Sequence, residues 1–123
     1  MKMELVIYKK LEVSASGSDS AEYIPMYRKM TLKEARLVAD GAVTADGSNY
    51  VTIKLQNGSD DLGSRAFNAD DMAAGAAESI SLDGGEALDF SDLDELKVLF
   101  DQTGTGMAFN GGIVLVFEPR RDV

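Results

Sequence analysis

The sequence predicts an all-β fold: a jelly-roll-like antiparallel β-sandwich of about seven or eight short strands. Three observations lead there. Short runs alternate apolar and polar residues, as half-buried strands do. Turn dipeptides recur at intervals of about ten residues, the spacing of hairpin-connected strands. No apolar stretch of helical period is long enough to cross between parallel strands.

The elements follow in order. Met3 to Tyr8 is aliphatic, β-branched and aromatic, which reads as a strand. Ser14 to Ser20, with Gly17 inside it, reads as a loop or linker. Residues 1–22 are therefore either an N-terminal arm or a first strand with a Ser-rich linker, ahead of a β-sandwich domain over 23–123. Thr31 with Glu34 has the spacing of a capping box, but the partial alternation of Ala35 to Ala39 favours a strand. Asp40-Gly41 and Asp46-Gly47 are turn dipeptides.

Tyr50 to Leu55 is the clearest strand. Val51, Ile53 and Leu55 share one face, and Tyr50, Thr52 and Lys54 the other. Asn57-Gly58 ends it with a hairpin signal. Leu62 to Phe67 is a further short strand. The Ala-rich Asp70 to Ala77 suggests one or two helical turns. Ser79 to Leu82 and Ala87 to Phe90 read as strands around the turn Asp83-Gly84-Gly85. Leu96, Val98 and Phe100 line one face of the next strand. Gly104, Gly106, Gly111 and Gly112 punctuate the connection that follows, Ile113 to Phe117 closes the domain, and Pro119 stops it.

Composition excludes much chemistry. The 123 residues contain no Cys and no His. Disulfides, thiolate nucleophiles, Cys-based zinc sites and Ser-His-Asp triads are ruled out. The net charge of −9 repels phosphate backbones, so no nucleic-acid partner is expected. The charge is uneven: residues 40–101 carry 14 acidic and 3 basic side chains, whereas residues 1–39 carry 5 and 7. No apolar run has a membrane-spanning length, and the start of the chain does not read as a signal peptide.

Several motifs invite a site. Gln102 to Met107 is glycine-rich, but it lacks the Lys-Ser/Thr of a phosphate loop and reads as a turn. Asp89, Asp92, Asp94 and Glu95 crowd one corner with oxygen ligands of the type Ca²⁺ takes, without the spacing of a calcium loop. Paired carboxylates such as Asp60-Asp61 lack the aromatic platforms of a sugar site. Asn57-Gly58-Ser59 matches a glycosylation sequon and is a hairpin turn by the same residues. No catalytic, cofactor-binding or metal-binding residue is expected. The final strand says more. Ile113, Leu115 and Phe117 form one apolar face and Val114 and Val116 the other, so both sides call for cover. Leu99 adds an apolar residue to the outer face of its own strand.

Two segments carry a resemblance. VTADGSNYVTIKLQNG, from Val43 to Gly58, and LKVLFDQTGTGMAFNGGIVLVFEP, from Leu96 to Pro119, resemble segments of small virion structural proteins of tailed bacteriophages. The likeness spans about residues 35–119 and is one of turns and strands. It implies a capsid decoration (cement) protein, a head fibre or a tail component, with no active-site residues to carry over.

Together these readings set the expectations. The chain is a capsid decoration protein on the virion exterior, made in the host cytoplasm, with the major capsid protein as partner and no cofactor. A tail or fibre component that binds a receptor or carbohydrate is the alternative. A homo-oligomer, with a trimer favoured, would form through Leu99, Val114 and Val116. Lys2, Leu5, Ile7, Tyr8, Lys9 and Lys10 would attach the chain to the shell, by charge or by strand pairing.

Overall fold

Nine strands in two antiparallel sheets make up the computed structural model, which describes residues 4–26 and 28–120. They are β1 (Leu5–Val13), β2 (Ser20–Pro25), β3 (Met30–Ala39), β4 (Tyr50–Asn57), β5 (Asp60–Ala66), β6 (Ala77–Ser79), β7 (Asp89–Phe90), β8 (Glu95–Thr103) and β9 (Phe109–Pro119). One sheet runs β1-β9-β3-β6, with β7 also paired to β3; the other runs β2-β8-β4-β5. The pairs are nested: β4 with β5, β3 with β6 and β7, β2 with β8, and β1 with β9 outermost. A long hairpin rolled up so that its successive pairs fall in alternate sheets is a jelly roll.

Period-two alternation builds the core. Val51, Ile53 and Leu55 of β4 are fully buried, as are Leu96 and Val98 of β8 and Ile113, Leu115 and Phe117 of β9. The two inner faces meet over these residues. Phe90 meets Phe117 edge-on at 6.1 Å, and Phe67 meets Phe109 at 5.8 Å, both within the range of favourable aromatic pairs. At one margin the sheets are tied by Arg65 of β5. Its Nε donates to Glu78 of β6 at 2.8 Å, and its guanidinium lies 4.2 Å from the Phe67 ring centre.

Several expectations are corrected. Ser20 to Pro25 forms β2, so a division of the chain at residue 22 falls inside a strand. The strand expected over Ala35 to Ala39 is longer: β3 is extended from Met30, with a bulge between Leu32 and Glu34. The Ala-rich Asp70–Ala77 stretch forms no helix; Met72 and Val43 exchange two backbone hydrogen bonds of 2.8 and 2.9 Å and hold the segment extended. Ile80 to Leu82 lies beyond β6, and a single 3₁₀ turn, Gly85–Leu88, precedes β7. Gly111 and Gly112 lie within β9, not in the connection before it.

Those two glycines are required by close approach. A Cβ on Gly111 would overlap the Val38 carbonyl oxygen, and one on Gly112 would overlap the Tyr8 ring. The turn from β8 to β9 uses Gly104 and Gly106 at φ of 67° and 79°, where side chains are strained. That turn, expected between two strands, carries the chain from one sheet to the other. Gln102 holds it. The buried amide donates to the carbonyls of Ser14 and Met107 and accepts from the Met107 N–H.

Candidate functional site

β1 is a full strand, paired to β9 along all nine residues. Its alternation divides the residues expected to attach the chain. Leu5, Ile7 and Lys9 sit opposite Phe117, Leu115 and Ile113, on the side of the core. Val6, Tyr8 and Lys10 sit opposite Val116, Val114 and Gly112, on the outer face. Lys2 lies outside the described residues. The pairing therefore sets Val6 beside Val116 and Tyr8 beside Val114, a two-by-two apolar block on the outside of the sheet. Val6 is 61% exposed and Tyr8 56%, while Val114 and Val116 are half-buried between their neighbours.

The outer face of β9 is thus half covered, by side chains of β1 and β3 beside it. On the β3 side the block runs into a groove. β3 is paired to β7 only at Met30 and Thr31, and to β6 only from Arg36 to Val38. Between those contacts the Ile80 N–H donates to the Ala35 carbonyl at 2.9 Å, and the stretch from Leu32 to Glu34 is unpaired on that side among the described residues. A groove of about 430 Å³ occupies the gap, lined by Lys33, Glu34, Arg36 and Ile80, with Val114 and Val116 shared with the apolar block.

The electrostatics of this face differ from those of the chain as a whole. The strands β1, β3 and β9 present Lys10, Lys33 and Arg36 against Glu12, Glu34 and Glu118, three of each sign, on a chain of net charge −9. Lys33 and Glu118 approach to 3.6 Å. Lys10 donates to Asp40 at 2.8 Å and to Asn110 at 2.6 Å, and the Asp40 carboxylate raises its pKa. An apolar block inside a balanced rim is a surface suited to contact with protein.

Leu99 does not join it. On β8 it lies between Ala21 of β2 and Lys54 of β4, on the outside of the opposite sheet. Leu99 and the pair Val114 and Val116 therefore cannot form one continuous surface. The acidic corner is also dispersed by the fold. Asp89 accepts from the Thr31 hydroxyl at 2.6 Å, and Asp94 accepts from the Ser91 N–H at 2.8 Å. Among the described residues no three acidic groups converge as a metal site would need, and no helix is long and apolar enough to cross a membrane.

Residue spacing alone does not join Tyr8 to Val114, more than a hundred positions away. The alternation of each strand is visible in the sequence, but the strand order that sets one beside the other is not.

No protein-family model matches the sequence, and no curated protein sequence matches it. Among solved structures the chain is similar to a chain of the structure of infectious bursal disease virus Gx strain, with a TM-score of 0.42 and 11% sequence identity. The match covers 96% of this chain and 32% of that one, so the chain spans about a third of its length.

Proposed function

We propose that this chain is a virion structural protein acting by adhesion: a decoration protein that stabilises a capsid by binding its outer surface. The observation that carries the reading is the outward apolar block of Val6, Tyr8, Val114 and Val116 on the β1-β9-β3 sheet. Exposed apolar residues clustered inside a charge-balanced rim suit contact with another folded protein. A chain with this overall acidity meets least repulsion where its surface is locally neutral. Jelly rolls serve as capsid and lectin domains, and the turn-and-strand resemblance of Val43–Gly58 and Leu96–Pro119 favours the virion over the lectin role.

In this reading the major capsid protein is the partner and no catalytic step or cofactor is involved. Each contact is modest in area, and many copies on one particle make the coat persistent through multivalency. The test is stoichiometry. Quantitative mass spectrometry of purified particles should find this chain at a copy number comparable to that of the capsid protein. A handful of copies per particle would instead favour a tail or fibre position, and absence from particles would overturn the reading.

A further inference from the structure

β1 lies at the margin of its sheet, bonded to β9 on one side. Among the described residues, no hydrogen bond reaches the backbone on its other side. An uncovered row of N–H and C=O groups is a template for a further strand, and proteins usually blunt such edges. The other long edges here are blunted. β2 turns Glu22 toward the core, opposite the buried Val98, and ends in Pro25. β5 opens with Asp60-Asp61, and the following chain lies along it, with the Asp83 N–H donating to the Leu62 carbonyl at 2.8 Å. β1 carries charge only from Lys9 onward. Its first half, Leu5-Val6-Ile7-Tyr8, is uncharged and strand-forming, with Leu5 47% exposed.

We infer that two copies of this chain associate by antiparallel pairing of their β1 edges, centred on Ile7, into one continuous sheet. The register follows from the side chains. Core-facing residues must oppose core-facing residues, so pairing is centred on a residue, not between two. With Ile7 opposite Ile7 of the partner subunit, Val6 meets Tyr8 of the partner subunit and Glu4 meets Lys10 of the partner subunit, each relation occurring twice. Cross-strand pairs of these kinds are favourable. Moving the centre to Tyr8 sets Glu4 against Glu12, and moving it to Val6 sets Glu4 against Tyr8, so both lose the ion pairs.

Lys10 can meet this demand, since its ammonium uses two protons on Asp40 and Asn110 and has a third to donate. Lys9 would oppose Leu5 at the open margin of the sandwich, where a lysine stem lies along apolar surface with its head in water. The dimer has a two-fold axis, the commonest symmetry of soluble oligomers. It places two apolar blocks side by side on one face, doubling the adhesive surface proposed above. The pairing rests on the β1 edge alone and stands whether or not that adhesive reading does.

The chain has no Cys, so one introduced thiol reports on register without background. Ile7→Cys should cross-link to a covalent dimer under a mild oxidant, because residues directly opposite in a sheet lie within disulfide reach. Glu22→Cys, on the blunted edge, should not. Sedimentation equilibrium of the unmodified chain should give twice the monomer mass of 13.2 kDa. Glu4→Lys replaces both ion pairs with lysine facing lysine. It should weaken the dimer about tenfold while leaving the melting temperature of the monomer unchanged. A chain that sediments as a monomer or a trimer at its highest soluble concentration would overturn the proposal. So would equal cross-linking through both thiols, or a dimer that Glu4→Lys leaves untouched.

Discussion

The ring of Tyr8 lies across Gly112, filling the space a side chain would take on β9. The two are diagonal neighbours, since Tyr8 directly opposes Val114 and Gly112 opposes Lys10. A glycine inside a strand leaves the pleat uncovered, and an aromatic ring from the adjoining strand restores that cover. The same ring is one corner of the apolar block, so Gly112 sets the pose of a residue in the proposed contact.

Gly112→Ala should push the Tyr8 ring off the sheet. The expected cost is about 1 kcal/mol, at the low end for overpacking because the ring is at the surface and can swing away. In a Tyr8→Ala background the same change should cost nothing, which a double-mutant cycle by thermal melting would read as coupling. Equal costs in both backgrounds would show that the ring does not rest on Gly112.

Gln102→Ala should cost about 2 kcal/mol, measured by urea unfolding. The change strips partners from the Ser14 and Met107 carbonyls and from the Met107 N–H, and buried groups left unpaired are expensive. The β8–β9 turn and the Ser14–Ser18 loop should also exchange their amide protons faster.

Asp46 is predicted to make the 46–49 turn sensitive to acid. Its carboxylate accepts the N–H groups of Ser48 and Asn49, which hold its pKa below the ordinary 3.8. A depressed carboxylate contributes stability above its unfolded pKa and loses it as pH falls through the folded value. The melting temperature of the unmodified chain should therefore drop more steeply below about pH 4 than that of Asp46→Ala. Parallel acid profiles for the two proteins would contradict this.

Chelation should leave the melting temperature unchanged, since Asp89 and Asp94 are already engaged by Thr31 and Ser91. A rise of several degrees with added Ca²⁺, reversed by chelator, would mean that the acidic corner rearranges to bind the ion.

How legible all this is in the sequence depends on the range of the interaction. β4 announces itself, because Val51, Ile53 and Leu55 alternate with polar residues and a hairpin turn follows. The β8–β9 turn is equally local, being fixed by Gly104 and Gly106. β2 escapes a reading by pattern because its run offers one large core residue, Ile24, and it is held extended by pairing with β8, some seventy positions on. The Ala-rich segment misleads for a related reason. Its local helical preference is outweighed by the Met72–Val43 bridge, a tertiary contact. The apolar block lies furthest from local signals. Pattern alone gives its members separate roles, shell attachment for Tyr8 and self-association for Val114 and Val116. Strand order places Tyr8 and both valines on one face, with Val6 beside them, and sends Leu99 to the other.

The central claim, adhesion through the outer face of the β1-β9-β3 sheet, is tested most directly by rebinding to particles stripped of this chain. The unmodified protein should saturate them. Val116→Asp, checked for an unchanged melting temperature, should bind at least about tenfold more weakly, because a charge placed in the centre of an apolar contact must be desolvated. Leu99→Asp, on the opposite sheet, should bind as the unmodified chain does. If folded Val116→Asp coats the particles as well as the unmodified protein, or if Leu99→Asp abolishes binding, this face is not the adhesive surface.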